Sequence, residues 1–141
     1  MILTQLVTDK ETSQRLKELG VKQNSYAYWV KFMHEEVVLQ LGLSDGSAPA
    51  VGELCEWTAS AFTASELLEL LPESIWRGEE DNKRLEFLIL NKDACYGYWC
   101  RYQNINFIKQ ETAIFGTTAV DSLGYMLIYL IEQGIIKVGE L

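Results

Sequence analysis

The most constraining feature of the sequence is the apolar stretch at residues 118–134, which predicts a long helix. Thr118 is a typical N-cap, and Asp121 lies in the first turn, where the positive end of the helix dipole favours an acid. Gly134 is a typical left-handed helix stop. Between them a wide apolar stripe recurs at helical spacing, formed by Val120, Leu123, Tyr125, Met126, Leu127, Ile128, Tyr129, Leu130 and Ile131. We therefore expect the core helix of the fold here.

Length and charge limit what the chain can be. Its 141 residues fit one domain with a hydrophobic core, residues 1–141. The formal net charge of -8 repels phosphate backbones, so we expect no nucleic-acid partner. The apolar run at residues 125–131 is too short to span a bilayer, and residues 1–5 lack the basic start of a leader peptide. We expect a cytoplasmic protein without membrane contact.

Cysteine and histidine usage argues against metal sites and disulfides. Cys55, Cys95 and Cys100 are odd in number and include no Cys-x-x-Cys pair, so we expect reduced thiols. His34 is the single histidine, which leaves no zinc ligand set and one candidate base for nucleophilic catalysis. The sequence contains no phosphate-binding glycine loop and no nucleophile elbow. We expect no metal, no cofactor and no catalytic residue.

Two capping boxes predict further helices. Residues 8–11 read as the start of a first helix, with Thr8 as its N-cap, and Gly20 closes it. Residues 63–66 start a second, short helix that must end before Pro72, because the residue before a proline disfavours helical backbone.

Strand patterns flank these helices. Residues 26–33 and 35–41 predict a hairpin, and residues 84–90, 94–102 and 107–115 predict three more strands, with a turn at residues 91–93. Shorter strands are expected at residues 53–57 and 135–138. Residues 42–52 predict a loop, and residues 73–83 a solvated loop with Ile75 and Trp76 as anchors.

These elements predict an α+β fold, with an antiparallel sheet from two hairpin regions and helices packed mainly on one face. A wall of tyrosines and a phenylalanine would line the sheet beneath the core helix, formed by Tyr26, Tyr28, Phe32, Tyr96, Tyr98 and Tyr102. Residues 26–32 and 96–102 match type for type. An internal duplication of residues 1–72 and 73–141 would explain this echo, and strand chemistry alone would also explain it.

The aromatic strands carry the candidate site. Core packing is the favoured interpretation of these aromatic faces. The alternative is an exposed patch for a protein partner or a second copy, formed by Trp29, Lys31, Trp99 and Arg101.

Several segments carry a resemblance to a known family, in chain order: residues 13–23, Tyr28-Trp29, residues 60–72, Tyr98-Trp99-Cys100 and, above all, residues 126–132. The chain resembles small uncharacterised proteins encoded by phages and prophages of gut anaerobic bacteria. The resemblance implies the cytoplasm of a bacterial host and no assigned activity.

We therefore expect a non-catalytic interaction or accessory protein of a phage or mobile element. One alternative is a small hydrolase or transferase that uses carboxylates in a cleft near residues 42–52. Another is an acidic decoy that mimics DNA, which would need its acids in a regular stripe.

Overall fold

The computed structural model describes residues 3–43, 45–52, 54–94, 96–104 and 113–141. The helices are α1 (Lys10–Glu18), α2 (Ala64–Leu70) and α3 (Ala119–Glu132). The strands are β1 (Ala27–Phe32), β2 (Val37–Leu41), β3 (Cys55–Ala61), β4 (Ser74–Arg77), β5 (Arg84–Asp93), β6 (Gly97–Gln103) and β7 (Ala113–Gly116). These elements confirm the predicted α+β class.

The strands form two antiparallel sheets. The three-stranded sheet has the order β2-β1-β3, and the four-stranded sheet has the order β4-β5-β6-β7. The two segments that echo each other in sequence become β1 and β6, which are interior strands of sheets with different strand order. Whether the two halves arose by duplication stays a prediction.

Helix α3 forms as its sequence predicts. The Thr118 hydroxyl accepts a hydrogen bond from the Asp121 N–H at 3.1 Å, and Gly134 follows the helix with a φ of 69°. Its apolar stripe packs on the inner face of the four-stranded sheet, against β6 and β7, with α2 beside it. The buried members are Val120, Leu123, Met126, Leu127 and Leu130. The same cluster includes Leu16 of α1 and Leu67 of α2, so both halves of the chain contribute to it.

The start of α1 differs from the prediction. The N-cap is Asp9, whose carboxylate accepts a hydrogen bond from the Thr12 N–H at 2.7 Å, and the helix begins at Lys10. Thr8 was the wrong choice because its hydroxyl is fully buried and engaged elsewhere. It lies 2.7 Å from the Ser13 hydroxyl and accepts from the Phe62 N–H at 3.0 Å. Thr8 thus joins the N-terminal segment to the end of β3.

Both faces of the three-stranded sheet are covered. On one face Ala27 and Trp29 pack with Val7 of the N-terminal segment. On the other face Tyr28 packs with Val30, and its hydroxyl donates to the Gly46 carbonyl at 3.0 Å. The predicted loop at residues 42–52 therefore contacts this second face.

Several strand boundaries were predicted wrongly. β3 runs on to Ala61, where the sequence indicated a strand only to residue 57, because small residues such as Ala59 carry a weak strand signal. β4 lies inside the region predicted as a solvated loop. β5 continues to Asp93, through the predicted turn. Residues 135–138 form no strand, and a short 3-10 helix occupies Val138–Glu140. Of the predicted strand 107–115, residues 107–112 lie outside the described residues.

The predicted tyrosine wall is also wrong in part. Tyr28 and Tyr102 are fully buried, but they belong to separate clusters, and α3 packs only in the cluster of Tyr102. Tyr26 and Tyr96 are exposed, because one precedes β1 and the other lies in the turn before β6.

Candidate interaction surface

Trp29 lies in the interior and cannot contribute to an exposed patch. Its side chain is 7% exposed, and its indole N–H donates to the Thr8 carbonyl at 2.7 Å. The N-terminal segment with Val7 and Thr8 covers it. The interpretation of this residue as core is confirmed, and its assignment to a surface with Trp99 is wrong.

Lys31 lies at the end of β1, in the three-stranded sheet, and its side chain is half-exposed. Its ammonium pairs with the Glu56 carboxylate at 3.2 Å, and both side chains face solvent. An exposed pair of this kind contributes about 0–1 kcal/mol. Lys31 belongs to a different sheet from Trp99, so the four predicted residues do not form one surface.

Trp99 and Arg101 lie on β6 and point away from α3. The strand alternates, so Cys100 and Tyr102 enter the core while Trp99 and Arg101 occupy the opposite face. The Trp99 ring lies 5.2 Å from the ring of Phe115, its cross-strand neighbour on β7, at an angle of 57°. Tilted aromatic pairs of this geometry are favourable.

The strand register places more apolar side chains on the same face of the sheet as this pair. Trp76 is paired with Leu85, Phe87 lies opposite Gln103, and Ile89 lies opposite Arg101. Four aromatic rings remain exposed on this face: Trp76 by 64%, Phe87 by 40%, Trp99 by 38% and Phe115 by 37%. We call the set the outer aromatic face, defined by Trp76, Leu85, Phe87, Ile89, Trp99, Arg101, Gln103 and Phe115.

Two polar groups within the outer aromatic face are buried but unsatisfied. The Nε of Arg101 and the Oε1 of Gln103 have no hydrogen-bond partner in the described part of the chain. The Gln103 side chain is only 7% exposed. A buried polar atom without a partner costs about 1–3 kcal/mol, so these two atoms are locally destabilising. Because neither atom is exposed to solvent, neither is a contact point for a bound molecule.

Sequence reasoning missed Trp76, Phe87 and Phe115 as members of this face. Trp76 was assigned to a loop, because β4 begins soon after Pro72 and has only four residues. That length is too short for a clear alternation of apolar and polar side chains. Phe87 and Phe115 lie in predicted strands, but only the register shows that they are on the face of Trp99. The alternation of Leu85, Phe87 and Ile89 within β5 was the available signal.

The inner face behind this surface carries a buried ionic cluster. The side chain of Glu86 is fully buried, with the Arg77 Nε 3.1 Å and the Arg84 Nε 3.3 Å from its carboxylate oxygens. Removing one member of such a cluster would leave a buried charge without a partner, which is strongly destabilising. The cluster therefore stabilises the pairing of β4 with β5.

The sequence suggested a carboxylate cleft near residues 42–52. The structure has a cavity there, but its lining offers no free pair of acids. A cavity of about 410 Å³ is lined by residues that include Gly46, Glu66 and Glu69. The Glu66 carboxylate accepts from the Tyr26 N–H and the Thr63 N–H, both at 2.8 Å. It completes the capping box of α2 and is not free to act as an acid or base.

The two thiols that the structure describes do not form a nucleophilic site. Cys55 and Cys100 are buried and free, and burial raises the pKa of Cys100 to about 12, which keeps it protonated. His34 is exposed in the β1–β2 turn with a φ of 63°. Cys95 lies outside the described residues.

Metal and membrane features can be judged for residues 3–43, 45–52, 54–94, 96–104 and 113–141. These ranges hold no group of three or more His, Cys, Asp or Glu side chains placed to bind a metal ion. None of the helices in them has both the length and the apolar character needed to cross a membrane. Comparison of the chain with protein-family models, curated proteins and solved structures finds no match.

Proposed function

We propose that this chain is a non-catalytic interaction protein of a phage or mobile element, which binds a protein partner through the outer aromatic face. The observation that carries the proposal is the group of four exposed rings on one face of one sheet. Aromatic and arginine side chains are enriched among the residues that dominate protein–protein binding energy. Exposed apolar side chains that share one face of a sheet mark a candidate interaction site.

The side chains of this face define the chemistry of the partner. Arg101 is the cation among the described residues of the outer aromatic face, and its side chain is partly exposed. A partner that fits would present an apolar surface with a carboxylate for the Arg101 guanidinium. The net charge of -8 disfavours a nucleic acid, although its bases could also stack on these rings.

The assignment to a phage or mobile element rests on the resemblance of residues 13–23, Tyr28-Trp29, residues 60–72, Tyr98-Trp99-Cys100 and residues 126–132. Of these segments only Trp99 belongs to the outer aromatic face, so the assignment is tested separately from the surface. The genes beside this one in its genome test it directly: neighbours without phage or mobile-element functions would overturn it.

The test of the binding surface uses matched substitutions. Trp99→Ala and Arg101→Glu change the outer aromatic face, and Tyr26→Ala removes an exposed ring elsewhere. We expect a partner captured from the host by the wild type and by Tyr26→Ala to be lost with both face variants. The captured protein is then purified, and its dissociation constant is measured with each variant by calorimetry.

The dissociation constant should rise about thirtyfold or more for Trp99→Ala, because hot-spot aromatics contribute about 2 kcal/mol or more. Circular dichroism and thermal melting show that each variant is folded. Equal affinity of wild type, Trp99→Ala and Arg101→Glu for the purified partner would overturn the proposed surface.

A further inference from the structure

The two edge strands of the three-stranded sheet differ in whether their outward main-chain groups are hydrogen-bonded. In an antiparallel pair, main-chain groups of alternate residues point to alternate sides of the strand. On β3 the Lys17 ammonium donates to the Thr58 carbonyl, and the Ser60 N–H donates to the Gln23 side chain at 2.7 Å. Residues 58 and 60 therefore point away from β1, and side chains close this edge.

The opposite edge, β2, is open. The Gly42 N–H donates to the Tyr26 carbonyl at 3.0 Å, so even-numbered residues at this end face β1. By the same alternation Val37, Leu39 and Leu41 turn their N–H and carbonyl groups outward. Within the part of the chain that the structure describes, no hydrogen bond reaches these outward groups.

The sequence of β2 does not protect this edge. Its five residues contain no charge and no proline, and its register with β1 is regular. Natural sheets usually protect an edge with charged side chains, proline, a bulge or a covering segment. An unprotected edge with three successive outward residues can accept another strand.

We propose that β2 pairs with β2 of a second copy of this chain, antiparallel and centred on Leu39. In that register Val37 lies opposite Leu41 of the other copy, and Glu36 lies opposite Gly42, so no acid faces an acid. This matters because each copy carries a net charge of -8, so two copies repel each other overall. The β2 edge carries no charge and is complementary to itself in this register.

Such pairing also buries an exposed side chain. Leu41 is 62% exposed, and Val37 and Leu39 pack against the cluster of Trp29. Pairing would set Leu41 beside Val37 of the second copy and extend this cluster across the two-fold axis. The dimer would contain one continuous six-stranded sheet and two outer aromatic faces. This inference does not depend on the proposed partner.

The test measures oligomeric state and amide exchange on the full chain. Sedimentation from about 1 μM to about 1 mM should show a monomer–dimer equilibrium, since edge-to-edge contacts are small and weak. With rising concentration, the amides of Val37, Leu39 and Leu41 should gain protection from exchange. The amides of Val38 and Gln40 should be protected at every concentration, because they face β1.

Leu41→Pro and Leu41→Ala separate main-chain pairing from side-chain burial. Proline removes an N–H that points outward, so it deletes two of about six intermolecular hydrogen bonds without breaking the β1–β2 ladder. We expect Leu41→Pro to raise the dimer dissociation constant about tenfold or more, and Leu41→Ala to raise it less. At concentrations low enough for the wild type to be monomeric, both variants should melt at the wild-type temperature.

Three results would overturn the proposal. These are a wild-type monomer at every concentration, exchange at Val37, Leu39 and Leu41 that is independent of concentration, and a dimer that Leu41→Pro leaves unchanged. Loss of this dimer with Leu41→Pro, while the partner still binds the outer aromatic face, would show that the two surfaces act separately.

Discussion

The two sheets of this protein handle similar strands in opposite ways. The string Tyr-x-Tyr-Trp leads into both β1 and β6, and both are interior strands. The three-stranded sheet is covered on one side by the N-terminal segment and on the other by residues of the 42–52 loop. In the described part of the chain, the four-stranded sheet is covered by α3 on one face, and the opposite face carries the exposed rings. The free surface of a strand is therefore set by what packs over it, not by its own residues.

We expect the two sheets to unfold as one cooperative unit, joined around α3. Leu127 is fully buried in the cluster that takes residues from both halves. Leu127→Asp should abolish folding, because an unpaired buried charge costs about 5 kcal/mol or more against a total stability of about 5–15 kcal/mol. Heteronuclear NMR would show loss of dispersed signals from both sheets.

Leu68→Asp on α2 is the matched control, since Leu68 is exposed and the change should be nearly neutral. If Leu127→Asp keeps dispersed signals from the three-stranded sheet alone, the two sheets do not unfold as one unit.

A tryptophan-to-alanine substitution can be made in both sheets. Trp29→Ala should lower the free energy of unfolding by about 3–5 kcal/mol, because it leaves a cavity and removes the donor to Thr8. Trp99→Ala should lower it by about 1 kcal/mol, through loss of the contact with Phe115. Urea denaturation of both variants measures the difference, and equal losses would contradict the contrast between the sheets.

The smallest effects concern the helix caps that follow the two sheets. Thr63 caps α2 and Thr118 caps α3. Each hydroxyl oxygen accepts a hydrogen bond from the N–H of the residue three positions later, Glu66 and Asp121 respectively. Thr63→Ala and Thr118→Ala should each cost about 1 kcal/mol in thermal or chemical denaturation. Thr63→Ser and Thr118→Ser keep the acceptor oxygen and should recover most of that loss. If the alanine and serine variants lose the same stability, the hydroxyl caps do not account for the loss.

The sequence was informative where a signal was local. Thr118, Asp121 and Gly134 fix the limits of α3 through main-chain chemistry in its own turns, and the structure confirms them. The capping box at Thr63 is confirmed for the same reason. The hairpin of β1 and β2 followed from alternation on both sides of a short turn.

The sequence was misleading where coverage by distant segments decided the outcome. Trp29 and Trp99 have nearly the same neighbours, and only the packing of Val7 and Thr8 distinguishes them. Phe115 joins Trp99 through a strand pairing that no local pattern specifies. The candidate site could thus be predicted at Trp99 and Arg101, and its extent could not.

The burial of Trp29 also supplies an optical signal. Indole emission moves to longer wavelength when the ring becomes hydrated, and Trp57, Trp76 and Trp99 already have more contact with water than Trp29. The short-wavelength part of the protein's fluorescence therefore arises from Trp29. Because Thr8 holds this ring through its carbonyl, any detachment of the N-terminal segment will be visible as a red shift, without an added label.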